Sequence, residues 1–309
     1  MSSYSFNQLP FSPVQELQHP LSQAKGVQLL VKRDDLIHPQ VSGNKWRKLK
    51  YNLLKAYQQK KNTLLTFGGP FSNHIYATAA AGNVFDFKTI GLIRGESIRP
   101  LNPTLSFAEK MGMELHFISR ATYREKTSAV FIKKLRRQFG DFYLLPEGGT
   151  NELALRGCAE IVSETTDQLG ETPNYWCAAC GTGGTLAGVI QGLQNRGNAL
   201  GFSVLKGDFH QKDIRHLLAP HHFDNWQINT DYHFGGYAKF QPDLIEFINT
   251  FKKDHNIQLE PIYTGKLFFG LYDLIKDNYF PRGSSILAVH SGGLQGIEGF
   301  NRRFGDLIG

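Results

Sequence analysis

Short apolar runs alternate with longer amphipathic segments along almost the whole chain, and this alternation limits the folds open to it. Such runs are typical of buried strands, and the longer segments are typical of helices that cover a sheet. The predicted strands are 27–31, 63–67, 88–93, 114–118, 142–145, 174–179, 201–205 and 285–289. The predicted helices are 45–60, 73–83, 103–111, 122–138, 152–168, 184–194, 241–254 and 266–277. This alternation predicts βαβ units and parallel sheets.

The length and the uneven charge of the chain indicate two domains. A chain of 309 residues is about two domains of typical size. Residues 1–140 contain 21 Lys and Arg against 8 Asp and Glu, whereas residues 141–309 contain 13 against 19. We predict an α/β fold of two three-layer αβα domains with mostly parallel sheets. The larger domain combines 1–50 and 141–309, the smaller is 51–140, and a cleft lies between them because no linker separates them.

Composition excludes several classes of protein. The hydrophobic fraction of 41% and the charged fraction of 20% are ordinary for a globular protein and exclude intrinsic disorder. No apolar run approaches the ~20 residues that span a bilayer, and the N-terminus lacks the pattern of a secretory signal. Three cysteines are too few for a disulfide-stapled secreted fold, so we predict a cytoplasmic protein. Cys177 and Cys180 have no second pair, so we predict no metal.

The net charge of +7 leaves more than one partner open. A basic half is compatible with nucleic acid, a membrane surface or an anionic small molecule, and equally with a solvated surface. The most basic run, Lys133–Arg137, lacks interleaved aromatic residues and any RNA-binding module. We therefore predict neither a nucleic-acid nor a membrane partner.

A Gly-rich turn between strand 174–179 and the next helix predicts a phosphate site. In open α/β sheets, ligands bind at the carboxyl ends of strands, next to helix N-termini. The glycines let backbone N–H groups approach an anion, and the threonine hydroxyls add donors. The segment is not a P-loop, because no Lys-Ser/Thr follows at the required spacing. A turn that binds nothing is the alternative. The turn residues are Gly181, Thr182, Gly183, Gly184 and Thr185.

Lys45 stands at a predicted helix N-terminus, directly after Gly43 and Asn44. The helix dipole and nearby cations disfavour a further positive charge, so we expect a lowered pKa and nucleophilic chemistry. A solvated basic helix is the alternative. Asp34 and Asp35 are either paired acids or residues that brace a loop.

Two other Gly-rich turns precede helices, at 67–74 and at 146–151. In the first, Ser72 is a natural N-cap. Exposed N–H groups at such a turn also suit a carboxylate. The turn at 67–74 therefore predicts either a helix cap alone or a site for a small acid.

Together with Tyr263-Thr264-Gly265-Lys266, these motifs resemble the pyridoxal-phosphate-dependent enzymes of tryptophan-synthase-β-like fold (fold type II). Within them, the chain is similar to the branch of 1-aminocyclopropane-1-carboxylate deaminase and D-cysteine desulfhydrase. The resemblance extends from Val31 to Leu294 and rests on several motifs in the same order. It implies pyridoxal 5'-phosphate as cofactor, bound in the cleft, a small amino-acid substrate and a homodimer.

The resemblance also implies a role for individual residues. Lys45 matches the lysine that binds the cofactor covalently, and Lys48 adds a cation at the phosphate loop Gly181–Thr185. Asn73 matches the residue that contacts the ring hydroxyl, and Thr264 matches the partner of the pyridine nitrogen. The residues implied to be catalytic are Lys45, Tyr263, Tyr237 and Ser72. Those implied to bind substrate are Ser72, Asn73, His74, Tyr237 and Tyr263, and His290–Gly293 flank the ring.

Two residues depart from the deaminase pattern. Where the deaminases have a carboxylate, this chain has Thr264, whose hydroxyl leaves the ring nitrogen neutral. Relatives usually carry Arg in the run after Ser-Asn-His, where this chain has Tyr76. Thr264 favours D-cysteine desulfhydrase-like α,β-elimination, which yields a keto acid, ammonia and sulfide. The alternatives are ring opening to 2-oxobutanoate and ammonia, and a protein that binds the cofactor or an anion without catalysis.

Overall fold

The computed structural model describes residues 12–97, 99–207 and 210–309. The first eleven residues lie outside these ranges. The prediction that the N-terminus is not a secretory signal concerns mostly these residues. The strands are β1 Val14–Glu16, β2 Gln28–Lys32, β3 Thr63–Gly68, β4 Lys88–Arg94, β5 Met113–Ile118, β6 Tyr143–Leu144, β7 Tyr175–Cys180, β8 Asn198–Ser203, β9 Trp226–Asn229 and β10 Ser285–Val289. The α-helices are α1 Pro20–Lys25, α2 Asn44–Gln58, α3 Asn73–Phe85, α4 Pro103–Lys110, α5 Arg120–Arg124, α6 Ala129–Phe139, α7 Glu152–Leu169, α8 Gly184–Leu193, α9 His210–Leu218, α10 Pro242–His255, α11 Thr264–Lys276 and α12 Gly296–Phe304.

The described strands form two sheets. The larger has the order β1-β2-β10-β7-β8-β9, and the smaller has the order β5-β4-β3-β6. All neighbours are parallel except β1, which runs antiparallel to β2. The prediction of an α/β fold with mostly parallel sheets is confirmed.

Helices cover both faces of each sheet, because successive side chains of a strand point to opposite faces. In β2, Leu29 and Val31 belong to a core with α10 and α11, whereas Leu30 belongs to a core with α7 and α8. In β3, Leu64 packs with α2 and α3, whereas Leu65 packs with α6. The fold therefore consists of two three-layer αβα units.

Two contacts in the structure cross the predicted domain boundaries. Strand β6 pairs with β3, through Leu64 with Tyr143 and Leu65 with Leu144, although a boundary at residue 140 assigns it to the larger domain. The other boundary, at residue 50, falls inside α2, whose Trp46 packs in the core of the smaller sheet. We propose that the smaller domain extends through β6.

Some local predictions were wrong or incomplete. The helix predicted at 122–138 is two helices, α5 and α6, and the side chain of Ser119 caps the first of them by accepting from Thr122 N. The strand predicted at 201–205 is β8, which begins three residues earlier and ends two residues earlier than predicted, at Asn198–Ser203. The elements β1, α1, α9, β9 and α12 had no sequence prediction, because several are short and none has a long apolar run.

A buried ionic network holds α2 against the larger domain. The Arg47 guanidinium donates to Asp34 at 2.9 and 3.1 Å, and to Glu164 of α7 at 2.7 Å. Ser12 Oγ donates to the same Asp34 carboxylate at 2.7 Å. Burial alone would raise the pKa of Asp34, but Arg47, helped by Ser12 and Lys32, outweighs burial and lowers it. Asp34 therefore braces α2 and is not half of an acid pair.

We expect Asp34→Ala to destabilise the protein by about 3–5 kcal/mol, because it removes one partner of a buried ion pair. Urea-induced unfolding measures the change. The control is Glu109→Ala, which breaks an exposed pair with Arg99 and should leave the unfolding midpoint unchanged. Equal midpoints for the two variants would contradict the bracing role of Asp34.

Candidate active site

The first residues of α2 are tied to two loops of the larger domain. Gly43 has φ +62°, and a Cβ built on it would lie 1.9 Å from Ser291 O, so only glycine fits. Asn44 N donates to the same Ser291 O at 3.2 Å, and Asn44 Nδ2 donates to Thr185 Oγ1 at 2.9 Å. These contacts place Lys45 where the loops after β7 and β10 meet.

Lys45 is partly buried, and its ammonium has no hydrogen-bond or ion-pair partner within the described residues. Burial first, and then the charge of Lys48, lower the pKa of Lys45 to about 7. The predicted lowering is confirmed, although burial is a larger cause than the predicted electrostatic one. Lys45 is therefore neutral and nucleophilic far more often at neutral pH than an ordinary lysine is.

Lys48 lies against the predicted phosphate loop. Its side chain is buried, and Nζ donates to Thr150 Oγ1 at 3.0 Å and to Thr182 Oγ1 at 3.4 Å. A Cβ built on Gly184 would lie 3.1 Å from Lys48 Nζ and 2.7 Å from the Thr150 methyl group. Among the described residues, no carboxylate pairs with Lys48. A buried ammonium with only neutral acceptors suits an incoming anion.

The start of α3 faces Lys45 across a small cavity. Ser72 caps the helix, since its Oγ accepts from His74 N at 3.2 Å and from Ile75 N at 3.3 Å. Its hydroxyl hydrogen is therefore free to donate. A Cβ built on Gly293 would lie 2.9 Å from Asn73 Nδ2. The cavity lies at the junction of the two domains, and its lining residues are Gln40, Ser42, Asn44, Lys45, Asn73, Tyr76, Ala77, Gly293 and Gln295.

His74 lies behind this turn and not on its exposed side. Its Nε2 is 2.8 Å from Thr66 Oγ1, and that hydroxyl donates to Leu145 O. Nε2 therefore carries the ring proton, and Nδ1 is buried without a partner among the described residues. Burial, followed by the charges of Lys45 and Lys48, holds the pKa of His74 well below 6.5. The imidazole is a neutral support of the turn, and the predicted substrate contact of His74 stays a prediction, which its backbone at the start of α3 could provide.

Tyr263 and Tyr237 lie together next to the phosphate loop. Their ring centroids are 6.3 Å apart with an interplanar angle of 72°. Tyr263 Cε1 lies 3.0 Å from the position that a Cβ of Gly181 would take. Burial is the largest cause that raises the pKa of both phenols. Both tyrosines are therefore protonated at neutral pH and act as donors.

Glu260 was missed by the sequence analysis. Its buried carboxylate accepts from the backbone N–H groups of Ile262, Tyr263 and Thr264 at 2.7–2.8 Å and from Thr264 Oγ1 at 3.2 Å. Burial raises the pKa of Glu260, while these donors oppose the rise. A Cβ on Gly293 would lie 3.6 Å from Glu260 Cγ, so the carboxylate borders the site. The available signal was an acidic residue just before a helix N-terminus.

Tyr76 borders the same cavity as Lys45. Its ring stacks on Phe107 of α4, with the ring centroids 3.8 Å apart and nearly parallel. Burial is the largest cause that raises the pKa of Tyr76, so its hydroxyl stays protonated. The residue that departs from the pattern of the relatives therefore belongs to the wall of the site.

His290 is also neutral. Its Nε2 lies 2.7 Å from Gln258 O, and its Nδ1 accepts from Gly292 N at 3.3 Å. Burial lowers the pKa of His290, although Asp35 lies 3.4 Å from Nδ1. Like His74, His290 shapes a loop.

Within the described residues, the side chains needed for thiolate or metal-ion catalysis are absent. The three cysteines are buried and free, and burial raises the pKa of Cys158 to about 11 and of Cys180 to about 12, so neither is a reactive thiolate. Within the described ranges, no three His, Cys, Asp or Glu side chains are grouped to hold a metal ion. Across the same ranges, every helix is too short or too polar to cross a membrane.

Comparison with known proteins gives consistent matches. The profile of the family described as "Pyridoxal-phosphate dependent enzyme" matches residues 11–292. A Thermotoga maritima protein named "Putative 1-aminocyclopropane-1-carboxylate deaminase" is 32% identical over 94% of this chain and 96% of its own length. An Arabidopsis thaliana protein, "Bifunctional D-cysteine desulfhydrase/1-aminocyclopropane-1-carboxylate deaminase, mitochondrial", is 30% identical over 92% of this chain and 77% of its own length. A solved structure of an ACC deaminase homologue superposes with a TM-score of 0.83 at 28% identity, covering 96% and 94% of the two chains.

We expect Lys45→Met to stabilise the cofactor-free protein below pH 7 but not above pH 10. The pKa of Lys45 rises from about 7 to its ordinary 10.5 on unfolding, so the unfolded chain binds more protons between these values. The free energy of unfolding of the wild type therefore increases as pH rises from 7 to 10.5. Below pH 7 Lys45 is charged in the folded protein, and the full cost of burying that charge is present. The gain in the variant should be about 2 kcal/mol, less than the full shift implies because Lys45 is partly exposed.

Urea unfolding of both proteins at acidic and alkaline pH measures this difference. Lys55→Met, at an exposed position of the same helix, is the matched control. A Lys45→Met effect that is equal at both pH values would contradict the lowered pKa.

Proposed function

The chain belongs to the pyridoxal-phosphate-dependent enzymes, and we propose that it catalyses α,β-elimination from D-cysteine. The chain is a lyase or deaminase of this family, and small amino acids are its substrate class. D-cysteine and water would give pyruvate, ammonia and hydrogen sulfide. The observation that carries the choice of elimination is the hydroxyl of Thr264, at the position where the deaminases have a carboxylate.

The side chains of the cleft fit the cofactor. Lys45 would hold it covalently, Lys48 with Gly181–Thr185 would hold its phosphate, and Asn73 would contact the ring hydroxyl. The fit is supported by the uncompensated ammonium of Lys48 and by the crowding that a side chain at Gly184 would cause. When bound, pyridoxal phosphate supplies a sink for the electron pair left at Cα.

Protein groups would bind the substrate and move its protons. Ser72 and Asn73 would bind the carboxylate at the N-terminus of α3, where N–H groups and the helix dipole favour an anion. Lys45 would take the proton from Cα, since its pKa is about 7 whereas burial keeps both phenols protonated. Tyr263 or Tyr237 would then donate to the departing thiolate.

The pair formed by Thr264 and Glu260 supports elimination over ring opening. Thr264 Oγ1 donates to Glu260 Oε1 and accepts from Glu260 N at 3.0 Å. The carboxylate also accepts from three backbone N–H groups, so the Thr264 hydroxyl hydrogen could turn from Glu260 to the ring nitrogen, and a hydroxyl rather than a carboxylate would face that nitrogen. A neutral ring is a weaker sink, which suffices when a good leaving group departs. Opening an unactivated cyclopropane demands more.

Ring opening of 1-aminocyclopropane-1-carboxylate is the second candidate. It is favoured by the name of the Thermotoga maritima relative, "Putative 1-aminocyclopropane-1-carboxylate deaminase". This candidate would yield 2-oxobutanoate and ammonia.

We further propose a cytoplasmic homodimer. Three free, buried cysteines suit a reducing compartment, and the resemblance implies two subunits. Light scattering on the purified protein should give twice the mass of the chain, and a monomer would contradict the proposal.

We expect the purified enzyme to release keto acid and ammonia from D-cysteine and β-chloro-D-alanine faster than from 1-aminocyclopropane-1-carboxylate. A panel of D- and L-amino acids, scored for both products, measures this preference. Turnover of the cyclopropane with D-cysteine inert would overturn elimination and support the second candidate.

We expect Lys48→Met to weaken binding of pyridoxal phosphate about 10- to 100-fold, because a hydrogen bond from a charged donor contributes about 1.5–3 kcal/mol. Fluorescence titration of the cofactor-free protein measures the affinity. Pyridoxal, which lacks the phosphate, should bind the variant and the wild type equally. An equal loss for both ligands would show that Lys48 does not bind the phosphate.

A further inference from the structure

The segment that carries Tyr237 has an unusual backbone. It connects β9 to α10 and contains four residues with positive φ, two of which are not glycine. Such conformations cost of order 1–3 kcal/mol each for non-glycine residues and persist only where the surroundings hold them. The four residues are Phe234 (+53°), Gly235 (+89°), Gly236 (+118°) and Ala238 (+53°).

A buried lysine from α11 binds this segment. Lys266 is fully buried, and its Nζ donates to His233 O and to Gly236 O, both at 2.8 Å. The two carbonyls flank the turn that immediately precedes Tyr237. A second tie is farther away, where Tyr232 Oη donates to Asp273 of α11 at 2.8 Å. Lys266 therefore holds the part of the segment nearest to the tyrosine.

The ammonium of Lys266 keeps its charge at neutral pH. Burial lowers the pKa of Lys266 to about 8, while the carboxylate of Glu260 opposes the lowering. Its two carbonyl acceptors belong to the segment and not to α11 itself. A charged donor with two acceptors contributes more than a neutral one, and its loss leaves buried carbonyl groups without a donor.

The same helix start also carries Tyr263, on which the ring of Tyr237 packs. We propose that Lys266 is a positioning residue that holds Tyr237 against Tyr263. The backbone of α11 places Tyr263 directly, and the Lys266 ammonium places Tyr237 through the carbonyl groups of His233 and Gly236. The consequence for catalysis rests on the proposed function of the two tyrosines, whereas the mechanical role does not.

Hydrogen exchange tests the mechanical role without any assay of activity. Mass spectrometry of Lys266→Met, with and without pyridoxal phosphate, should show at least about tenfold faster amide exchange in peptides that cover 231–239. Lys276→Met, at an exposed position in the last turn of α11, should exchange as the wild type does. Unchanged exchange in folded Lys266→Met would overturn the proposal.

Lys266→Gln is the second variant, for the case that Lys266→Met does not fold. Its amide keeps two donors but loses the charge. We expect exchange in 231–239 that is faster than in the wild type, with the rest of α11 unaffected. If Lys266→Gln exchanged as slowly as the wild type in 231–239, the claim that the charged ammonium holds this segment would be wrong.

A double-mutant cycle tests the link to Tyr237 on the best substrate of the amino-acid panel. Lys266→Met and Tyr237→Phe should each lower kcat more than they change KM. The double variant should be no slower than Tyr237→Phe alone, because Lys266 acts through the tyrosine. Losses that multiply would overturn that link. If no amino acid is turned over, the proposed function fails while the exchange result still decides the role of Lys266.

Discussion

The proposed roles of Lys45 and Lys48 depend on the buried ion pairs of Arg47, which fix helix α2 between the two sheets. A buried charge costs several kcal/mol unless it is paired, so the guanidinium favours the one arrangement that brings Asp34 and Glu164 together. That arrangement sets the position of the whole helix. Lys45 and Lys48, three residues apart, therefore lie on one face of α2 and at the junction of the two domains.

The charges of the site are divided in a consistent way. The buried carboxylates are already occupied, Asp34 by Arg47 and Glu260 by the N–H groups that begin α11. Lys45 and Lys48 of α2 have no carboxylate partner within the described part of the chain, and burial lowers the pKa of each. The phosphate of the cofactor and the carboxylate of the substrate would relieve this imbalance. Lys45 and Lys48 alone account for this imbalance, so most of the basic charge of residues 1–140 plays no part in it.

Much of the fold and part of the site followed from local signals. The Gly-rich turns and the lysine after Gly43 were found because such residues mark helix N-termini at strand ends. The pairing of β6 with β3 was not predicted, because periodicity identifies a strand but not the strand next to it. The break between α5 and α6 was not predicted either, because both helices have the same apolar spacing. The contact of the His74 imidazole with Thr66 was not predicted either, because it joins a strand to the start of a helix. Glu260 and Lys266 were overlooked because their partners are backbone groups that no sequence motif displays.

The α/β class, the family and the order of most strands and helices followed from the sequence alone, since these depend on apolar spacing and on motifs along the chain, although β1, α1, α9, β9 and α12 were not predicted. Only the tertiary structure decided which polar groups are satisfied and which are left for a ligand. A pKa near 7 at Lys45 and the hold of Lys266 on the Tyr237 segment both depend on burial and on groups brought together from distant parts of the chain. Those contacts exist only after the chain has folded.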